Sequence, residues 1–292
     1  MALQTEFVVG LAVLASVFSA SMSALMKNEA EKFSALKTSF MVIFYALVFL
    51  APYVAFRFLE SGFALDSFSL AAAVFAGLFG TGKVWAGVRA FQEIDFSIAQ
   101  PMKKLAPLFV VAGELFFLGL QPSAFLVVGI LLLVGGSYVL MLDSSDFLSP
   151  FRNIGDFGVQ LAVLSAVFSA AGALSIRFAS AGIPEFAVTY LWYLSNLTGL
   201  FLMLWYSESL PSRDLFLNRN FVAAGALSSV SGVLSVFLYA VASSVALVTA
   251  VFQSSVLFSV LIGGGVFKEE NTLVRLAGAI IIVAGIIILS QV

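Results

Sequence analysis

Three lysines hold the chemistry this sequence is able to do. Lys103 and Lys104 stand between Pro101 and Pro107 in the stretch Ala99–Glu114, AQPMKKLAPLFVVAGE, and Lys83 stands in GLFGTGKVWAG. Each lies in an apolar run long enough to cross a bilayer. A lysine near the middle of such a helix costs about 2.5–3.5 kcal/mol, and each Leu, Ile, Phe or Val offsets only about 0.3–0.6 kcal/mol of that. Ammonium groups kept at that cost point to a use, and their chemistry is to hold an anion, a carboxylate or phosphate on a small substrate.

Helical spacing groups these residues further. At 100° per residue, Gln100, Lys103, Lys104, Pro107 and Glu114 share one face of a helix, as do Lys83, Ala76, Gly80, Gly87 and Ala90 on the preceding one. The turn between the two falls near Gln92–Asp95. Lys83 and Lys103/Lys104 then lie about ten residues from it on either side, roughly 15 Å deep at 1.5 Å per residue. Pro101 and Pro107 each remove an amide donor and free the carbonyls of Ser97 and Lys103, which suits a helix that opens onto a polar cavity. The alternative for the lysines is snorkelling toward an interface or neutralisation by carboxylates. Depth argues against the first, and the ten-residue separation of Lys104 from Glu114 argues against a direct pair.

Other polar residues admit two readings. Asn196 and Tyr190, and Trp85 beside Lys83, serve equally as helix-packing groups or as substrate contacts. Ser228, Ser229, Ser231 and Gly232 read as close-packing surfaces, as do the glycines spaced by seven, Gly129 with Gly136 and Gly278 with Gly285. Asp143 and Asp146 form an isolated DxxD without a second acidic cluster to complete a divalent-metal site. No metal or other cofactor is expected.

The elements that must position these residues follow from composition. Of 292 residues, 61% are hydrophobic, 10% are charged and 31 are Phe, which describes a polytopic membrane protein rather than a soluble domain. A net charge of −2, with basic residues scattered singly or in pairs, excludes a nucleic-acid partner. With neither Cys nor His, the chain has no disulfide, thiolate metal site or histidine proton relay. The N-terminus MALQTEF lacks the positive stretch of a cleavable signal, so the first apolar run reads as a retained helix. Ten apolar runs are expected to span: Glu6–Met26, Ser39–Ala55, Ser69–Phe91, Phe96–Leu118, Pro122–Leu142, Phe157–Ala179, Phe186–Tyr206, Phe221–Ala242, Val245–Phe267 and Leu273–Ser290.

An internal repeat relates the halves. LAVLASVFSA from Leu11 matches LAVLSAVFSA from Leu161 at eight of ten positions, with Lys27 opposite Arg177 at the same shift of 150. Near the ends of the halves the shift is 149, which sets Gly129 on Gly278, Gly136 on Gly285, Gln100 on Thr249 and Lys104 on Gln253. The expected fold class is therefore an all-α polytopic membrane protein, ten transmembrane helices in two five-helix repeats, residues 1–145 and 146–292. Five is odd, so the second repeat enters the membrane from the opposite side. Such inverted repeats build alternating-access carriers with a site near mid-bilayer where the halves meet.

On the five-plus-five duplication, LAPLF at Leu105–Phe109 and the ending VFKEENTLVRLAGAIIIVAG at Val266–Gly285, the chain resembles the drug/metabolite transporter superfamily, specifically its ten-helix EamA-like branch. It departs from the pattern in the first half, where Leu120 stands opposite Glu269. The resemblance implies a small-metabolite carrier and not an enzyme. It leaves the metabolite open among amino acids, sugars, phosphorylated sugars, nucleotide sugars and amines.

Taken together, the expected function is a secondary transporter of a small anionic or zwitterionic metabolite. Lys83, Lys103 and Lys104 are the anion contacts and Gln100, Thr249 and Gln253 the hydrogen-bonding partners, with Trp85, Asn196 and Tyr190 as further candidates. Its other partners are the lipid bilayer and, since no ATP-binding loop is visible, a coupling ion or counter-substrate; the oligomeric state is left open, a monomer being plausible. Two alternatives stand beside it: an exporter of neutral or cationic compounds such as neutral amino acids, and a membrane-embedded lipid-phosphate binding protein or enzyme. The expected location is the cell (inner) membrane, with both termini on one side. Lys and Arg number nine in and around the odd-numbered connections against two at the even ones. That bias sets the termini outside, whereas the resemblance implies cytoplasmic termini.

Overall fold

The computed structural model of the chain describes residues 2–61, 66–103, 105–119, 123–140, 142, 155–207, 210–242, 245–252, 255–266 and 272–289. Among these the regular structure is helical throughout, without a strand. The helices are α1 (Ala2–Ala30), α2 (Ala35–Ser61), α3 (Ser67–Glu93), α4 (Phe96–Lys103), α5 (Ala106–Gly113), α6 (Ala124–Leu140), α7 (Phe157–Ala179), α8 (Glu185–Ser207), α9 (Arg219–Val241), α10 (Val245–Phe252), α11 (Ser255–Gly265) and α12 (Thr272–Leu289). A π-turn at Glu114–Leu118 and a 3₁₀ turn at Arg213–Leu217 complete them. Six helices, α1, α2, α3, α7, α8 and α9, are long and apolar enough to cross a membrane, and 106–117, 124–139 and 273–285 form shorter apolar helices.

The fourth apolar run, Phe96–Leu118, is interrupted just before Pro107, one of the two prolines expected to kink it. It stops after Lys103 and restarts at Ala106, with Pro107 in the first turn of α5. Proline has no N–H to give the carbonyl four residues back, so the ladder cannot pass. Leu105 N–H instead reaches Met102 O at 3.2 Å and Leu108 N–H reaches Leu105 O at 3.0 Å, three-residue bonds that tighten the chain there. Pro101, in contrast, lies within α4 without ending it. The run closes in the π-turn and Gly119, whose φ of 69° is a left-handed conformation that glycine adopts without strain.

Packing between the halves is reciprocal. α1 lies along α9 while its repeat mate α7 lies along α3; α2 also packs on α9, and its mate α8 on α3. α6 packs along its own mate α12. There a Cβ at Gly136 would meet Gly278 O at 2.8 Å, and one at Gly285 would meet Gly129 O at 2.9 Å. Each glycine touches the counterpart of the other's partner, the signature of a two-fold relation, and only backbone without a Cβ permits that approach.

Hydrogen bonds tie the helix ends into two groups. At one end Glu29, buried at the close of α1, accepts from Asn218 Nδ2 and Asn220 Nδ2, both at 2.7 Å, and pairs with Lys32 at 2.9 Å. Gln92 Nε2 donates to Ala30 O and Phe33 O, and Arg275 pairs with Asp95 at 3.6 Å. At the other end Glu114 Oε1 accepts from Val245 N–H at 2.7 Å, anchoring the start of α10, and Asp66 caps α3 by accepting from Ser69 N–H at 2.8 Å. The repeat mates Lys27 and Arg177 do equivalent work: Lys27 Nζ donates to Phe91 O at 2.7 Å, and Arg177 donates to Tyr239 O and Ala240 O at 2.9 Å. Each cation satisfies the last carbonyls of the third long helix in its half.

Candidate functional site

Between the halves lies a cavity of about 170 Å³, walled by α1, α2, α3, α4, α7, α8, α9 and α10. Lys83 from α3 and Lys103 from α4 are its charged lining residues, and no Asp or Glu lines it among the described residues. Polar uncharged groups surround them: Ser19 and Ser23, Ser165 and Ser169, Ser228, Ser231 and Ser235, with Gln100, Thr249, Asn196, Trp192, Tyr193 and Tyr239.

Most of these groups are satisfied by protein. Tyr193 donates to Ser228 O at 2.5 Å and lies 3.0 Å from Ser228 Oγ, and Ser235 Oγ donates to Ser231 O at 2.7 Å. The Tyr239 hydroxyl is 3.3 Å from Thr249 Oγ1, and Ser165 Oγ donates to Lys83 O at 2.8 Å. Lys103 Nζ lies 4.2 Å from the centre of the Phe91 ring, a cation–π contact. The missing Cβ of Gly87 makes room for it, since a methyl there would stand 2.8 Å from Nζ.

Three groups are different. Gln100 is 1% exposed and its Nε2 has no partner; Asn196 is fully buried and neither end of its amide has one. Lys83 forms neither a salt bridge nor a side-chain hydrogen bond with any described residue. Buried donors are nearly always paired, and a charge in hydrocarbon more so. All three residues line the one cavity.

Lys83, Lys103, Gln100, Thr249 and Asn196, expected from the sequence, are thus brought together. Tyr190 is placed elsewhere, on an apolar groove between α2 and α8 with Val54, Phe58 and Phe186, and Trp85 is packed in the core formed by α1–α4 and α7–α9. Lys104 and Gln253 lie outside the described residues, as do Asp143 and Asp146. Glu114 leaves the lysine face to cap α10. The small-residue face of α3 is less open than expected, because Asn196 Nδ2 and Trp192 Nε1 both come within 2.9 Å of where a Gly80 Cβ would stand.

Sequence reasoning missed the serines. Ser228, Ser231 and Gly232, read as packing surfaces, line the cavity with Ser235. Their spacing of three, four and seven residues was a legible helix stripe. Ser19 and Ser169 occupy the same place in the two copies of the repeated decapeptide, and both reach the cavity.

The family model described as the EamA-like transporter family matches this chain twice, over residues 7–142 and 156–291. The chain belongs to the EamA-like transporter family. Its fold is shared with a solved crystal structure, at a TM-score of 0.69 and 16% identity, over 99% of this chain and 96% of that one. Among curated proteins, none matches. As a family member and an integral multi-pass membrane protein, this EamA-like chain is a membrane transporter of a small molecule, and the cavity lies between its two family-matched segments. Among the described residues no group of three or more His, Cys, Asp or Glu is arranged to hold a metal ion.

Proposed function

We propose that this EamA-like protein is a secondary transporter that carries a small anionic or zwitterionic metabolite by alternating access across the cell (inner) membrane. The observation that carries the proposal is the cavity's charge: Lys83 and Lys103 line it, Gln100 Nε2 and the Asn196 amide face no partner, and no carboxylate lines it among the described residues. A carboxylate or phosphate would accept from these donors with charge-assisted bonds. Thr249 supplies a further hydroxyl, and Lys104 and Gln253 belong to the same helix faces by sequence. A cavity of about 150 Å³ holds a benzene-sized guest. The cavity, about 170 Å³, accommodates a simple acid or an amino acid.

Ten crossings in two inverted repeats fit the helix-end contacts. α4–α5 runs from the end marked by Asp95–Arg275 to the end marked by Glu114–Val245, one passage, and α10–α11 returns. The termini then share a side. The chain has no native cysteine, so single cysteines at Ser144 and Gly62 should be labelled from opposite faces of intact cells; labelling of both from one face would rule out ten crossings.

The substrate class is tested by melting the purified protein against small carboxylates, phosphate esters and amino acids, with matched amides and amines as controls, and then measuring uptake of any hit into proteoliposomes. Stabilisation by acids but not amides supports the reading. Selective stabilisation by amines or neutral compounds would replace it with the exporter reading.

A further inference from the structure

A cationic cavity in lipid has to be described for the part of its cycle when no substrate is bound. Lys83 lines the cavity on α3 without a carboxylate partner, and Lys103 lies across from it on α4 against the Phe91 ring. Water would satisfy the unmet Gln100 and Asn196 donors, yet it would leave the charge on Lys83 uncompensated in a low-dielectric surround, where an unpaired ion is costly. What meets both demands is a small anion, accepting from Lys83, Gln100 Nε2 and Asn196 Nδ2.

We propose that the empty carrier binds an inorganic monovalent anion, chloride or one of its size, at the Lys83–Gln100–Asn196 donors, and that the organic acid displaces it. The inference rests on the cavity being the substrate site and names its resting occupant. It gives the transport cycle an exchange partner, since the cavity returns neutralised rather than bare. A lysine that is uncharged at rest would need no such ion, and the experiment separates the two.

The full-length protein is purified in the sodium salt of HEPES, a sulfonate too bulky for the cavity, and its melting temperature is followed while chloride or bromide replaces it at constant ionic strength. The expected result is a saturable rise with either halide. In Lys83→Gln, which keeps a hydrogen-bond donor without charge, and in Lys83→Met, the midpoint should move to at least about tenfold higher chloride, the effect of losing one charge-assisted hydrogen bond. No difference between chloride and HEPES, or the same response in wild type and both variants, would overturn the proposal. A chloride response without stabilisation by any organic acid would leave the anion site standing and remove the carrier reading. Stabilisation by acids with no chloride response would do the reverse.

Discussion

Gly136 against Gly278 and Gly285 against Gly129, Lys27 on the end of α3 and Arg177 on the end of α9, Ser19 and Ser169 on opposite walls of the cavity: at these positions the two halves of the chain do the same work with the same or similar residues. Along the cavity the correspondence fails. At the shift of 149, Lys83 stands opposite Gly232, Lys103 opposite Phe252 and Gln100 opposite Thr249; at 150, Val42 and Ile43 stand opposite Trp192 and Tyr193. All ten line the same space. The first half contributes its charge and the second its aromatic and hydroxyl surface. The repeat supplies a symmetric frame, and the charge and the aromatic surface of the cavity are divided between its two halves.

That contrast predicts paired outcomes for the frame and unpaired ones for the site. The largest effect is expected at the α6–α12 crossing, where Gly136→Val and Gly285→Val each drive a side chain into opposing backbone. Each should lower stability by about 2–3 kcal/mol, the upper range for overpacking, and by similar amounts in denaturant or thermal melts. A well-tolerated change at one glycine alone would break the two-fold reading of the interface. Next come Lys27→Met and Arg177→Met, each removing a cation from helix-end carbonyls and expected to cost about 1.5–3 kcal/mol. A null effect at one of the pair would show that the halves are held differently.

Smaller and unequal effects are expected from the cavity. Gln100→Leu removes an unmet amide, so it should leave the melting temperature unchanged or raise it while weakening anionic ligands by about tenfold to hundredfold, the worth of a hydrogen bond to a charged group. Thr249→Val breaks a bond to Tyr239 and should lower the melting temperature with less effect on affinity. Equal behaviour of the two variants would remove the distinction drawn between the halves here. The smallest effect is at Asp66. Hydrogen bonds from the Ser69 side chain and N–H hold its carboxyl below its ordinary value of 3.8. A lowered folded-state value means the cap contributes at pH above about 4 and is lost as pH falls below that, through the depressed value. Asp66→Asn should flatten that acid limb of the melting profile and leave the neutral plateau nearly untouched.

How much of this was legible in the sequence divides along the same line. Helix positions followed from long apolar runs, and the frame from a decapeptide repeated at eight of ten places, because lipid permits little besides helices and close glycine contacts. Lys83, Lys103, Gln100 and Thr249 were legible because polar groups in apolar runs stand out. Trp85 and Tyr190 were not separable from true lining residues, since an aromatic in a helix packs equally well on protein, cavity or lipid. The serines of α9 were overlooked because small residues serve both for packing and as cavity walls, and only the placement of α9 beside α1 and α2 decides which. Glu114 shared a helical face with the lysines on paper, but the interruption at Lys103–Ala106 and the following π-turn release it to cap α10.

The central claim is that the first half's lysines hold the substrate's negative charge, and matched ligands on matched proteins test it most directly. Binding isotherms of an organic acid found by melting, and of its amide analogue, are measured on the wild type and on Lys83→Met. The acid should lose about tenfold to hundredfold in affinity on the variant, the amide should bind both proteins with the same weak affinity, and the variant should melt no lower than the wild type. Unchanged affinity for the acid, or a lower melting temperature that reveals an orphaned carboxylate partner of Lys83, would contradict the account.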